Sequence, residues 1–506
     1  MFPKKIKLPY YALWVSLINV ILYNRPMFSF VYDHIDASTF NGLLLIVSLV
    51  VVSIALNGFV FYLGLYLLRG IGKWILVLFF GLNSLCVYFI NTYGVVIDIT
   101  MIGNVFNTNF EEAGSFFSFS LLFYFIFWGI LPGLLIHRFQ FSGVRLKTFL
   151  LHQFFLLIFL LSLAWANAAN WLWIDKNSTR LGALVMPWSY VVNTSRFYYY
   201  QHQADQKEIL LPNAQITDDH KSVVVLVIGE SARSANFSLY GYPKNTNPQL
   251  SKVPGLQAYK AESAATYTTA GVKAILDHKE TNKLYEILPN YLHRNGVEVL
   301  WRTTNWGEPN VHITHYQDRE YLQERAEVDG AVYDDILLYG LNDWISQSQN
   351  NKIFIVLHTS TSHGPLYHQK YPLEFESFSP VCKSVELSQC TQEELINAYD
   401  NTIVYTDHLL AELIESLQQL EEFNTTMFFV SDHGESLGEN NLYMHGLPMS
   451  IAPEVQYQIP FLVWTSDPSA LFKDQKTASQ YHVFHSVLDF LGVDSPVYDP
   501  DQSILK

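Results

Sequence analysis

Charge is scarce in this 506-residue sequence: Asp, Glu, Lys and Arg together make up 15% of it, against about 25% in an ordinary soluble domain. Half of the residues are hydrophobic and 15% are aromatic, with a mean hydropathy of +0.13. This excludes a disordered chain, which combines low hydrophobicity with high charge, and it calls for a membrane contribution. A basic excess is absent too. The formal net charge is −15, so the sequence lacks the basic face that nucleic-acid phosphates require, and no nucleic-acid partner is expected. Cysteine is limited to three residues, Cys86, Cys382 and Cys390, too few for a four-cysteine zinc site. Cys86 lies in an apolar run. Cys382 and Cys390 stand eight apart in a polar segment, a disulfide pair that would place the segment in an oxidising compartment. There is no internal repeat and no long low-complexity tract.

Two unlike parts are hidden in these averages. Residues 1–172 hold nine Lys/Arg and five Asp/Glu, which leaves 22 and 41 of the 31 and 46 for residues 173–506. The acidic part is the aqueous part. Within the first part, five apolar runs approach the roughly 20 residues needed to cross a bilayer: 9–32, 43–68, 74–90, 115–136 and 149–169. Tyr10, Tyr11, Trp14, Tyr93, Trp171 and Trp173 cluster near run ends, as an aromatic belt does. The first run is followed by four more, so it reads as an uncleaved anchor and not as a signal peptide.

Lys4, Lys5 and Lys7 precede the first run, Arg69 and Lys73 join the second to the third, and Arg138, Arg145 and Lys147 join the fourth to the fifth. The alternate connections carry Arg25 as their one basic residue, against Asp33, Asp36, Asp98, Glu111 and Glu112. This positive-inside bias puts the N-terminus in the cytoplasm, and five spans would then place the remainder outside it. The disulfide reading of Cys382 and Cys390 agrees independently.

Residues 173–220 alternate aromatic and polar side chains, among them Trp173, Trp188, Tyr190, Lys176, Arg180 and Arg196. They read either as interfacial helices lying on the membrane or as an ordinary packed linker. From residue 221 the texture changes. Residues 222–228 (SVVVLVI) are a continuous β-branched run closed by Gly229, and similar runs recur at 297–301, 353–358, 427–430 and 461–464. Helical stretches at 284–293 and 395–417 lie between them. Such alternation predicts an α/β domain over 221–506 with a mostly parallel sheet, beside an α-helical membrane domain of five transmembrane helices over 1–172.

In a parallel sheet the chemistry gathers at the C-terminal strand ends. Glu230 follows the first strand in GESARSANFSLYGYPKNTNP, His358 to Pro365 (HTSTSHGP) follow the third, and Asp432 and His433 follow the fourth in SDHGESLGEN, with His445-Gly446 beyond. Taken singly, each is an ordinary cap or turn residue. Together they offer the oxygen and imidazole donors that zinc accepts, without the cysteines of a closed structural site.

These segments, with INAYDN at 396–401, resemble the membrane phosphoethanolamine transferases that decorate lipopolysaccharide, including the lipid A enzymes of polymyxin and colistin resistance, within the alkaline phosphatase/sulfatase-like superfamily. The resemblance covers essentially the whole chain. It implies a multi-pass protein of the Gram-negative inner membrane with a periplasmic catalytic domain, phosphatidylethanolamine as donor and lipid A as acceptor. It also implies catalytic zinc held by Glu230, Asp432, His433 and a nucleophilic threonine of the AATYTTAG stretch. Spacing from Glu230 favours Thr268, with Thr269 and Thr266 as alternates. His363 and His445 would contact the phosphoryl group or a second metal, and Asn305 the donor headgroup. The Cys382–Cys390 pair matches a disulfide of the family.

Two departures stand out. Relatives often flank the nucleophile with a disulfide, where this sequence has Ala264 and Lys273-Ala274, and lipid A enzymes often carry a Lys where this sequence runs on to Glu308-Pro309. The resemblance implies attack by the threonine on the donor phosphorus, loss of diacylglycerol, and transfer of phosphoethanolamine from the threonine to the acceptor. Core heptose or Kdo, periplasmic glucans, a phosphoglycerol transferase and a non-catalytic membrane scaffold remain open as alternatives at this point.

Overall fold

A computed structural model describes residues 5–108, 113–114, 116–167, 170–204, 208–281, 283–327, 332–385, 387–467, 472–473 and 477–505. The chain folds as two compact units, residues 1–199 and 200–506.

In the first unit the apolar runs form helices α1 (Leu8–Tyr23), α2 (Arg25–His34), α3 (Phe40–Leu68), α4 (Gly70–Tyr93), α5 (Phe119–Arg138) and α6 (Leu146–Ala166). Among the described residues four of them, α3 to α6, are long and apolar enough to cross a membrane. The expectation of five such helices is therefore corrected to four. The run 9–32 is two helices because Pro26 opens α2 and Asn24 ends α1. Buried Asn24 uses its side chain on another segment, accepting from the Met186 amide at 2.9 Å and donating to the Met186 carbonyl at 3.3 Å. The 16 residues left in α1 span about 24 Å at 1.5 Å per residue, short of a hydrocarbon core of about 30 Å. Lys4, Glu111, Glu112 and residues 115, 168 and 169, used above for orientation or span limits, lie outside the described residues.

α1 is not a simple lipid-facing helix. Asn19 is buried, donates to the Met186 carbonyl at 3.0 Å and accepts from Asn83 of α4 at 2.7 Å, while Tyr190 donates to Asn83 at 3.0 Å. Buried amides inside an apolar bundle are tolerated when each finds a partner, and these do. The partners lie in the segment before and within helix α7 (Trp188–Ala204).

The second unit is built on an eight-stranded sheet: β1 (Ser222–Gly229), β2 (Gln257–Glu262), β3 (Glu298–Thr303), β4 (His315–Gln317), β5 (Lys352–His358), β6 (Asn424–Ser431), β7 (Gln458–Thr465) and β8 (Thr477–Ser479), in the spatial order β8-β2-β7-β6-β1-β5-β3-β4. β1 lies at the centre, parallel to β5 and to β6, and every one of its residues is buried. That explains its unbroken β-branched run: a strand covered on both faces has no polar side. β7 runs antiparallel to both β6 and β2, so the sheet is mixed and mostly parallel. Val224, Leu226 and Ile228 of β1 share a core with Val272, Ile275, Leu292, Phe428, Phe461 and Phe484. Helix α8 (Thr268–Leu276) follows β2 and helix α9 (Gln392–Gln418) precedes β6. α9 begins with a capping box in which Thr391 and Glu394 bond each other's backbone amides.

Candidate active site

β1, β3, β5 and β6 point the same way, so the residues that follow them meet at one edge of the sheet. Glu230 follows β1 and is buried, and its Oε2 accepts from the Asn305 amide at 2.7 Å. Ser231, next in the chain, has φ +52°, a left-handed conformation that a side chain adopts only when its surroundings enforce it. Here they do. Its amide donates to Asp432 Oδ1 at 3.0 Å, its hydroxyl to Glu230 Oε1 at 2.7 Å, and its carbonyl accepts from the Tyr399 hydroxyl at 2.7 Å.

After β6, Asp432 accepts from the His433 amide at 2.7 Å through Oδ1, and its buried Oδ2 has no hydrogen-bond donor. The His433 Nδ1–H donates to the Gly434 carbonyl at 2.9 Å, which leaves the Nε2 lone pair facing inward. That nitrogen is 3.3 Å from Asp432 Oδ2, 3.6 Å from Glu230 Oε1 and 3.3 Å from Thr268 Oγ1. Thr268 is buried at the first position of α8, its hydroxyl 3.4 Å from Glu230 Oε2. Thr266 turns away and donates to the Leu447 carbonyl at 2.5 Å.

What brings α8 so close is Gly271, where an added Cβ would stand 2.2 Å from the Asp432 carbonyl oxygen. Lys273 and Asp277 form an ion pair at the far end of the same helix. Gly307, with φ +90°, brings the loop after Asn305 against the methyl groups of Thr268 and Thr269. Beyond it, Glu308 accepts from the Tyr316 hydroxyl and lies 3.7 Å from His358 Nδ1.

His445 joins the group from the other side. Its ring centroid is 4.2 Å from that of His433 and 5.7 Å from that of His363, and Nδ1 is 3.4 Å from buried Glu435. Glu230, His433 and His445 each offer a ligand atom, all within 4.8 Å of one another. Glu230, Thr268, Asn305, His363, Asp432, His433 and His445 are thus brought to one place, and of the alternate threonines Thr266 points elsewhere. Cys382 and Cys390 are bonded to each other, with Cα atoms 5.7 Å apart.

A buried cation would offset the shifts that burial imposes on the carboxyl groups here. Burial, and then the charge of Glu230, push the Asp432 carboxyl far above its ordinary range. Burial pushes Glu435 up to about 8 and, with the neighbouring His445, holds His433 down to about 4. Burial opposes ionisation of Glu230 as well, but His363, His433 and His445 outweigh it and hold that carboxyl well below its usual value. Asp432 Oδ2 and Glu435 Oε1 are buried without a donor. Unpaired buried carboxylate oxygens beside an inward-facing imidazole lone pair fit a divalent metal taking oxygen and nitrogen ligands.

Sequence reasoning passed over the scaffold behind these groups. Tyr399, from INAYDN on α9, also accepts from the Arg233 amide at 2.9 Å, and Asp400 accepts from Asn236 at 2.6 Å and from Lys244 at 2.8 Å. Arg233 pairs with Glu439 at 2.6 Å and donates to the Glu435 carbonyl at 3.0 Å. The motif on α9 therefore holds the loop after β1, and Arg233 ties that loop to the loop after β6. Several motifs in one chain without an evident chemical role were the signal available for this.

Comparison with known proteins follows the two units. The family model described as sulfatase matches residues 222–493, and that of phosphoethanolamine transferase EptA/EptB matches residues 54–203. Phosphoethanolamine transferase EptA of Helicobacter pylori is 40% identical over 98% of this chain and 96% of its own length. Phosphatidylethanolamine transferase Mcr-1 of Escherichia coli is 30% identical over 80% of each chain. Among solved structures, the integral membrane lipooligosaccharide phosphoethanolamine transferase A of Neisseria meningitidis shares the fold with a TM-score of 0.88 over 99% of each chain, at 22% identity. With identity to an EptA sustained from end to end and family matches in both units, this chain belongs to the phosphoethanolamine transferase family typified by EptA.

Proposed function

We propose that this protein transfers phosphoethanolamine from phosphatidylethanolamine to lipid A at the periplasmic face of a Gram-negative inner membrane. The observation that carries the reading is the Thr268 hydroxyl, placed at a helix start within 3.4 Å of both Glu230 and His433 in a chain of this family. The names of the relatives support the donor and the transferred group. The Cys382–Cys390 bond supports the oxidising side of the membrane. A catalytic unit tethered to the bilayer meets its lipid donor at high local concentration, which a freely soluble hydrolase would not.

In this reading Glu230, Thr268, Asp432 and His433 would hold zinc. When bound, zinc would lower the pKa of the Thr268 hydroxyl and offset charge on the phosphoryl oxygens. The Thr268 oxygen attacks the donor phosphorus, the bond from phosphorus to the glycerol oxygen breaks, and diacylglycerol leaves with a proton. The phosphoethanolamine-threonine so formed is attacked by a lipid A phosphate oxygen, and the bond to Thr268 breaks. His445, beside His433, and His363, beside His445, donate and recover the protons at the leaving and attacking oxygens. An added ammonium group offsets lipid A phosphate charge, which would weaken binding of cationic polymyxins.

The test is mass spectrometry of lipid A from a Gram-negative host expressing this chain, beside Glu230→Ala. A phosphoethanolamine increment on lipid A that is absent in the variant is the expected result. Unchanged lipid A with diacylglycerol accumulating would move the acceptor to core sugars or periplasmic glucans. Glycerol phosphate on the product would mark a phosphoglycerol transferase.

A further inference from the structure

Asp334 is buried and takes no part in the chemistry above. It opens a short 3-10 turn, Asp334–Leu338, yet its carboxylate faces the site edge of the sheet. Oδ1 accepts from the Thr304 hydroxyl and from the Ser360 hydroxyl at 3.2 Å. Oδ2 accepts from the Ser360 amide at 2.9 Å and from the Thr361 hydroxyl. Four donors fill the acceptor capacity of a carboxylate. They come from two segments, one leaving β3 and one leaving β5. Arg319 spans the same two segments, donating to the Thr304 carbonyl at 2.6 Å and reaching the Ser360 hydroxyl at 3.5 Å.

Each clamped segment carries a residue of the reaction. Thr304 precedes Asn305, whose amide donates to Glu230 and to the Thr359 carbonyl at 2.8 Å. Ser360 and Thr361 precede His363, whose amide donates back to the Ser360 carbonyl at 3.3 Å. The ladder between β3 and β5 ends at Thr303 and His358, so strand pairing no longer sets the distance between the segments beyond that point. Beyond it the segments are held by side chains, Asn305, Arg319 and Asp334, and of these Asp334 takes the most bonds, four.

We infer that Asp334 is a positioning residue for the transfer reaction, fixing Asn305 and His363 relative to each other while touching neither substrate nor metal ligand. This rests on the transferase reading above. An amide in its place would turn an NH2 group toward hydroxyl and amide donors and would release at least one segment.

The experiment uses full-length, detergent-solubilised, zinc-loaded protein, with phosphatidylethanolamine as donor and lipid A as acceptor. Wild type, Asp334→Asn and Thr361→Val are compared for kcat, KM for the donor, zinc per chain and melting temperature. The expected result is wild-type zinc content and a donor KM within a few-fold of wild type. kcat falls on the order of a hundredfold in Asp334→Asn and less in Thr361→Val, which removes one of the four bonds. Unchanged kcat overturns the inference. So does activity lost in both variants only in proportion to lost zinc and lost melting temperature, the pattern of a plain folding role. Should Asp334→Asn fail to fold, Thr361→Val decides by the same readouts. A wild-type protein that releases no diacylglycerol sinks the transferase reading itself, whereas an active wild type with an unimpaired Asp334→Asn sinks the positioning role alone.

Discussion

The Thr268 hydroxyl stands 3.3 Å from the Nε2 of His433, a contact between the first residue of a helix and the end of a strand 165 positions away. Gly271 allows the helix to touch the backbone of Asp432, and the Gly434 carbonyl turns the imidazole so that its free nitrogen faces the hydroxyl. The threonine proposed as nucleophile is thereby packed against residues proposed to hold the metal, and the site can be tested residue by residue.

Thr268→Ala should reduce transfer to background while the melting curve moves little, since the hydroxyl makes only long contacts at 3.3 and 3.4 Å. Thr266→Ala and Thr269→Ala should keep turnover. Thr266→Ala should cost about 1 kcal/mol of stability through loss of its bond to the Leu447 carbonyl. Full activity in a folded Thr268→Ala protein would move the nucleophile to one of its neighbours.

Gly271→Ala places a methyl group 2.2 Å from the Asp432 carbonyl oxygen. Backbone must then shift, at a cost of about 1–3 kcal/mol, and Thr268 shifts with it. Thermal melting and turnover should both fall, and a variant indistinguishable from wild type would remove the argument for close approach.

Removal of metal by a chelator should abolish diacylglycerol release and lower the melting temperature, because a ligand bound only by the folded state stabilises it. Added zinc should restore both. Equal restoration by magnesium would count against the nitrogen-containing ligand set proposed here.

His278, buried beside Tyr285 at 4.8 Å between ring centroids, is held down to about 4 by burial first and then by Lys279, His485 and Lys273. Its folded value lies below the unfolded one near 6.5, so the unfolded chain takes up a proton that the folded chain refuses. Its contribution is fully present above pH 6.5 and is lost as the pH falls toward 4. Denaturant unfolding at pH 7 and pH 4.5 should show a smaller acid loss for His278→Phe than for wild type. Parallel losses in the two proteins would place the acid sensitivity elsewhere.

Labelling of the denatured, unreduced protein should find one thiol, Cys86, and reduction should raise the count to three. For a loop closed across eight residues, the chain-entropy estimate of the stability lost on reduction is about 2.5 kcal/mol. Three thiols without reduction would contradict the bond.

Much of the architecture was legible because it is written locally. The apolar runs of α3 to α6 read as membrane helices, and the β-branched run of β1 reads as a central strand, because in each case one environment surrounds the whole segment. The first run was misread for a reason composition does not register: Asn24 and Pro26 barely alter mean hydropathy, yet the Asn24 side chain bonds Met186, 162 positions away. The direction of β7 was hidden in the same way, since an apolar strand looks alike whichever way it runs.

The sequence by itself determined the two-part organisation, the family and the residues proposed as reactive, because short motifs carry the metal-type donors and hydropathy carries the membrane. Tertiary structure alone decided which threonine faces His433, how Tyr399 and Arg233 hold the loops after β1 and β6, and that Asp334 ties the segments of Asn305 and His363 together. Those relationships are hydrogen bonds between residues distant in the chain. The order of strands in the sheet brings their partners together, and no local pattern in the sequence encodes it.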